Sequence, residues 1–310
     1  MCITKRAPTV PIRRRLVLAT LASVAFPSSR ASAQAVLQAI ATFSILRDLI
    51  QTIGGEKWQV TALVGPGGDA HHYHATPADS IRLQRAGLLV SNGLGFEAWL
   101  PRVVSAAPFR GRHLVASKGI EPLMSAPTGH AKNRTPDPHC WHDIALARRY
   151  AANIAEVLGE VDPPGQLDYQ RRVGEFDGAL AILDTWVREQ VARVPTAQRR
   201  VVCSHDAFAY FGRAYGVEIL TFRSGDHDHA PSAREVARLV SQVREEKVKA
   251  LFYVHHGSRA QIDQIARETG GTVAGALYSD ALSAANGPAA TYEAMIRYNV
   301  GVLVAGLLRS

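Results

Sequence analysis

Cysteine is scarce in this chain of 310 residues: Cys2, Cys140 and Cys203 are the full complement. Cys2 lies in a segment read below as removed, so one Cys140–Cys203 disulfide is the most that an oxidising compartment could impose. Two buried small hydrophobic side chains are the default expectation. Long hydrophobic runs are lacking as well. The apolar run from Leu16 to Phe26 has 11 residues, about half of the roughly 20 that span a bilayer, which excludes a retained transmembrane anchor. Neither His-Glu-x-x-His nor Gly-x-Ser-x-Gly occurs, which removes two common hydrolase signatures. There is no tandem repeat of short fixed period. What is present is an ordinary globular composition, 47% hydrophobic and 20% charged, in a chain long enough for two domains.

The formal charge of +8 is unevenly placed. Residues 1–33 hold Lys5, Arg6, Arg13, Arg14, Arg15 and Arg30 and no acidic residue. The remainder is nearly balanced, which argues against a nucleic-acid partner. Basic residues ending at Arg15, the apolar run, and then Ala31-Ser32-Ala33 read as a secretory signal with its cleavage site, so the mature chain is expected to begin near Gln34. The arginines leave the twin-arginine and general export routes both open. No cysteine stands near the cleavage site to carry a lipid. The expected destination is the periplasm.

Past Gln34, short β-rich runs alternate with helical ones. Strands are expected at Val36–Thr42, Trp58–Val64, Gly87–Ser91, Arg200–Cys203, Val217–Phe222, Ala250–Val254 and Thr272–Leu277. Helices are expected at Ile45–Ile53, from Thr76-Pro77-Ala78-Asp79, at Phe96–Ala107, Asp206–Tyr215, Ser232–Val243, Arg259–Thr269 and Tyr292–Leu308. This rhythm implies an α/β fold with mostly parallel sheets covered on both faces. Between Pro164 and Pro195 the pattern changes: Tyr169, Val173, Phe176, Leu180, Leu183 and Val187 alternate spacings of four and three, the signature of one face of a long helix. The organisation expected is an export signal at 1–33, an N-terminal α/β lobe at 34–166, a linking helix at 167–194 and a C-terminal α/β lobe at 195–310.

Twelve histidines stand out, all past the signal: His71, His72, His74, His113, His130, His139, His142, His205, His227, His229, His255 and His256. Several follow expected strands, where open α/β sheets gather ligand-contacting groups. Imidazole is the commonest metal-binding side chain, and several imidazoles with one carboxylate suit Zn²⁺. A single histidine in such a sequence is ordinarily just a surface or hydrogen-bonded residue.

The sequence around some of them is more specific. Gly68-Asp69-Ala70-His71-His72-Tyr73-His74-Ala75-Thr76-Pro77-Ala78-Asp79 resembles the first motif of the zinc and manganese solute-binding proteins of ABC importers, the TroA-like and ZnuA-like group. Asn92–Leu100 resembles the segment after it, Asp137-Pro138-His139-Cys140-Trp141 the second motif, Ser204–Phe211 the third and Tyr278-Ser279-Asp280-Ala281-Leu282 the fourth. The motifs run in family order across 36–310. The resemblance implies two similar α/β lobes bridged by one long rigid helix, with a metal site in the cleft made by His71, His139, His205 and Asp280. In manganese-binding relatives the His205 position is usually Glu, so three nitrogens and one carboxylate lean towards Zn²⁺. Two departures stand out: Ala70 replaces a common proline, which loosens the backbone before His71, and residues 117–136 contain only His130 instead of a His/Asp/Glu-rich metal-gathering loop.

The function implied is zinc capture in the periplasm and delivery to the membrane permease of an ABC importer, by a monomer that is not an enzyme. A periplasmic zinc metallochaperone is a further candidate partner. A solute-binding protein for manganese or another divalent metal is the alternative, and an exported zinc hydrolase a weaker one, since four protein ligands leave no open position for water. His227 and His229, with Asp226 and Asp228, form a candidate secondary or delivery site, as do His72 and His74. His255 and His256 are placed at the cleft, off the metal.

Overall fold

The computed structural model describes residues 1–3, 36–124, 134–222, 232–257 and 259–310. The export signal with its cleavage site, His130 and the 226–229 cluster lie outside the described residues. The N-terminal half runs β1 (Leu37–Phe43), α1 (Ser44–Gly54), β2 (Trp58–Val64), α2 (Pro77–Arg85), β3 (Leu88–Ser91), α3 (Leu100–Ala106), β4 (Arg112–Val115) and α4 (Ile144–Val161). The helix α5 (Gln166–Ala192) follows, then β5 (Arg200–Cys203), α6 (Ala209–Tyr215), β6 (Glu218–Thr221), α7 (Ala233–Glu245), β7 (Ala250–Val254), α8 (Arg259–Thr269), β8 (Thr272–Leu277) and α9 (Tyr292–Leu307).

The strands form two four-stranded sheets, β2-β1-β3-β4 and β6-β5-β7-β8, parallel throughout. Both have the same strand order, so the two lobes are similar, as expected. Helices cover both faces, and the central strands are accordingly apolar along their length: Leu88, Leu89 and Val90 are all buried. In each sheet the chain reverses its direction of winding between the two inner strands. That leaves a crevice at their carboxyl ends, the usual place for a ligand in an open α/β sheet.

Helix α5 is 27 residues, about 40 Å at 1.5 Å per residue. Tyr169, Leu180, Leu183, Val187 and Val191 are buried along it, and Val173 and Phe176 pack partly buried on the same core. Gly174 and Gly178 interrupt the sequence of this helix without bending its packing, because they sit where an added Cβ would meet nothing within 4 Å. One hydrophobic cluster runs from Trp58 and Trp141 through Tyr169 and Leu183 to Phe252 and Tyr292, so α5 lies within a core common to both lobes. Buried hydrogen bonds reinforce it: the Tyr292 hydroxyl donates to the Trp141 carbonyl at 2.6 Å, and Leu282 N–H to Ser44 Oγ at 2.9 Å.

Helix starts follow their caps. Thr76 with Asp79 and Ser232 with Glu235 form the expected capping boxes. The helix expected from Phe96 begins only at Leu100, because Gly93, Leu94 and Gly95 take positive φ (84°, 57° and 83°) and hold residues 94–99 in turns. The helix expected from Asp206 begins at Ala209. Strand β4 and helix α4 go beyond the sequence expectation; β4 buries only Leu114 and so carries almost no hydrophobic pattern. Cys140 and Cys203 are buried and free, the small-hydrophobe outcome rather than the disulfide.

The α5 seam yields a paired test by urea unfolding followed with circular dichroism. Leu183→Ala, at a fully buried position, is expected to lower unfolding free energy by about 2–5 kcal/mol. Gly178→Ala, in open space, should raise it by about 0.5–1 kcal/mol.

Candidate metal centre

Four loops at the carboxyl ends of the strands meet at one point. His71 lies on the loop after β2, His139 on the stretch between β4 and α4, His205 two residues past β5 and Asp280 three residues past β8. One ligand atom from each lies within 4.8 Å of the other three. His71 Nε2 is 3.1 Å from His139 Nε2; Asp280 Oδ2 is 3.0 Å from His205 Nε2 and 3.8 Å from His71 Nε2; and Asp280 Oδ1 is 3.5 Å from His139 Nε2. A tetrahedral ion with bonds of about 2.0–2.1 Å requires ligand atoms about 3.3 Å apart, and the four contacts above, at 3.0–3.8 Å, lie around that spacing. The His139 and Asp280 side chains are fully buried, whereas that of His205 is 20% exposed, which places the solvent edge on the His205 side.

Each ligand loop is fixed by partners of its own. Asp137 Oδ1 lies 2.8 Å from His139 Nδ1 and also accepts the His139 N–H at 2.9 Å. With Nδ1 donating to that carboxylate, the Nε2 lone pair is aimed at the cluster. Asp69 Oδ1 accepts the His71 N–H at 2.9 Å. Trp99 Nε1 donates to the Ala70 carbonyl at 2.8 Å, which holds the backbone that the missing proline was expected to loosen. Phe96 presents its ring to His71 at 4.4 Å between centroids, nearly edge to face. Glu97 secures that turn by accepting from Thr42 Oγ1, Asn92 N–H and Gly93 N–H, so the 92–100 segment serves as the wall behind His71. Across the seam, Asn299 accepts the Tyr278 N–H and donates to its carbonyl at 2.9 and 2.7 Å, fixing the loop that carries Asp280. Gly67 N–H donates to the Leu282 carbonyl at 2.9 Å, and Tyr210 OH to the Asp137 carbonyl at 2.9 Å, tying ligand loops of opposite lobes together.

The charges support one another. Burial alone would push the Asp280 carboxyl up and the His205 imidazole down. The imidazoles, His205 first, instead hold Asp280 well below the usual carboxylate range, and Asp280 raises His205 above the ordinary imidazole value. The site is therefore anionic at Asp280 before any cation arrives.

The other histidines separate cleanly. His72 pairs with Asp69 at 2.7 Å on the surface, His74 is exposed, and His113 meets Ser91 Oγ at 2.9 Å. His142 is buried against Phe208 and Trp141, where burial pushes its pKa down to about 3 and keeps it neutral. His255 stacks on Tyr278 at 3.8 Å. His256, expected off the metal, lies with Nε2 3.1 Å from Asp280 Oδ2. Its place at the end of a strand marked it, together with His255, as a cleft residue; the strand order that sets β7 between β5 and β8 comes from the fold.

Comparison with known proteins gives a consistent picture. The family model described as zinc-uptake complex component A, periplasmic, matches residues 40–306. The manganese-binding lipoprotein MntA of Bacillus subtilis is 32% identical over 285 residues, covering 90% of this chain and 92% of that one. The zinc-binding protein TroA of Treponema pallidum is 30% identical over 290 residues, covering 92% and 93%. The solved TroA structure superposes with a TM-score of 0.81 at 27% identity, over 88% of this chain and 99% of the other. A manganese-bound periplasmic metal-binding protein from Candidatus Liberibacter asiaticus gives 0.80 at 27% identity, over 87% and 99%.

The mutual support of Asp280 and His205 can be read directly by NMR titration of imidazole resonances in chelator-stripped protein. His205 is expected to titrate above 6.5. Asp280→Asn removes the largest attraction opposing burial and leaves only the weaker pull of Asp206 and Asp69, so the His205 midpoint should fall.

Proposed function

The chain belongs to the ZnuA/TroA family of periplasmic substrate-binding proteins of metal ABC transporters, and on that premise we propose that it captures Zn²⁺ in the periplasm and hands it to the permease of an importer. Members of this family are solute-binding proteins, not enzymes. The observation that carries the proposal is the convergence of three imidazole nitrogens and one buried carboxylate within 4.8 Å, from four separate loops. His71, His139, His205 and Asp280 are proposed as the ligands of the cargo ion. They need only shed protons to bind it, and they enclose it without an open position for a reacting water.

Zinc is preferred over other divalent ions on donor chemistry: three neutral nitrogens with one carboxylate form a softer set than oxygen-rich manganese sites. Manganese is the second reading, favoured by the similarity to MntA and to the manganese-bound structure. Export by the signal at 1–33 is part of the proposal. No helix among the described residues is long and apolar enough to cross a membrane. Release to the permease must separate ligands held by two lobes that share a core, so we infer adjustment of the ligand loops in place of a wide hinge. The permease is the partner required; a metallochaperone remains a candidate for loading.

Two measurements test this. Chelator-stripped protein should bind one Zn²⁺ per chain, and His139→Ala or Asp280→Ala should weaken it greatly; equal or tighter Mn²⁺ binding in direct competition would overturn zinc in favour of manganese. Asp137→Asn, which alters the carboxylate beside His139 Nδ1, should cost about 10–100-fold in affinity. Affinity should also fall as pH drops, and the fall should begin above the ordinary imidazole value, because His205 holds its proton more tightly than a free imidazole.

A further inference from the structure

Three adjacent strands of the C-terminal sheet, β5, β7 and β8, each deliver a metal-competent side chain just past their carboxyl ends: His205, His256 and Asp280. Asp280 Oδ2 lies 3.0 Å from His205 Nε2 and 3.1 Å from His256 Nε2, closer to both than to His71 at 3.8 Å. The His205 and His256 rings face each other nearly edge to face with centroids 5.6 Å apart. The side chain of His256 is 13% exposed and that of His205 20%, against 7% for His71 and none for His139. The imidazoles of the C-terminal lobe thus form the outer lip of the site and those of the N-terminal lobe its floor.

The turn that presents His256 is built for it. His255 N–H donates to the Leu277 carbonyl at 3.0 Å, and Gly257 N–H to the Val254 carbonyl at 2.9 Å. At Gly257 a Cβ would come within 2.8 Å of Val254 Cγ2, so a larger residue would have to displace that side chain. With the His255 ring committed to Tyr278, its neighbour is left to face Asp280. A carboxylate with two imidazoles on one oxygen already offers three of the four donors that Zn²⁺ takes.

Building on the capture reading above, we propose that His205, His256 and Asp280 form a metal half-site belonging to the C-terminal lobe alone. It holds the ion at the lip before His71 and His139 engage it and again after they let go. In the closed site His256 stands outside the set of four; in the half-site it is a ligand. Between half-site and closed site the ion exchanges imidazoles while Asp280 and His205 keep hold of it, so neither loading nor the first step of release passes through a bare ion in the cleft.

The test uses the full mature chain, stripped by chelator and titrated with Zn²⁺ against a chromophoric competitor. Binding of one Zn²⁺ by the unaltered chain tests the capture reading by itself. His71→Ala/His139→Ala removes the floor and is expected to retain one weaker Zn²⁺. Adding His256→Gln, which keeps an N–H donor to Asp280 but no metal-competent nitrogen, should weaken that residual binding by more than the roughly 10–100-fold loss typical of an outer-shell partner. His113→Gln, on the other sheet, serves as the control. Circular dichroism checks folding, and His71→Gln/His139→Gln replaces the alanine pair if that pair does not fold. The half-site is overturned if the floorless variant binds no Zn²⁺ while the unaltered chain does, or if His256→Gln leaves the residual affinity unchanged.

Discussion

A single buried charge organises this molecule. The Asp280 carboxylate has no exposed surface, and burying an unpaired carboxylate would cost several kcal/mol. Four imidazole nitrogens stand 3.0–3.8 Å from its oxygens. A structure that spends stability on such an arrangement holds an anion ready for a cation, and the nearby rings supply the remaining donors. The fold is the means of bringing those rings from distant parts of the chain to that carboxylate.

Two features keep them there. The first is the pair of parallel sheets with equal strand order, whose carboxyl ends open towards a common seam. The second is the continuous core around α5 and α9, backed by hydrogen bonds such as Tyr292 to Trp141 and Leu282 to Ser44. Bonds that cross the seam at the ligand loops themselves, Gly67 to Leu282 and Tyr210 to Asp137, bind metal geometry to lobe geometry. Gly67 and Gly93, in the loops around the site, use left-handed backbone.

Much of this was legible in the chain. The strands Trp58–Val64, Arg200–Cys203, Ala250–Val254 and Thr272–Leu277 follow from β-rich runs, and the starts of α2 and α7 from their capping residues. The α5 face follows from its four-and-three spacing. The four candidate ligands could be proposed because their motifs are local strings, and the fold brings one donor atom of each within 4.8 Å of the others. What was not legible depended on long-range contact. The Phe96 segment has a helical composition, but Glu97 is drawn into capping three groups near β1 and β3, and the turn wins. Trp99 compensates for Ala70 across 29 residues, and Asn299 holds Tyr278 across 21.

His256 shows the division most clearly. In sequence it is one of a pair of histidines at a strand end, with nothing to say which of the two faces the cleft. In the structure His255 stacks on Tyr278 and His256 turns to Asp280, 24 residues further along the chain. Sequence by itself determined the alternation of strands and helices, the long apolar helix face and the donor types carried by each motif, because those reside in local periodicity and residue chemistry. Tertiary structure alone decided which donors converge, which histidines are spent on packing and where the site meets solvent, because side-chain direction at a strand end is set by the neighbours that pack against it.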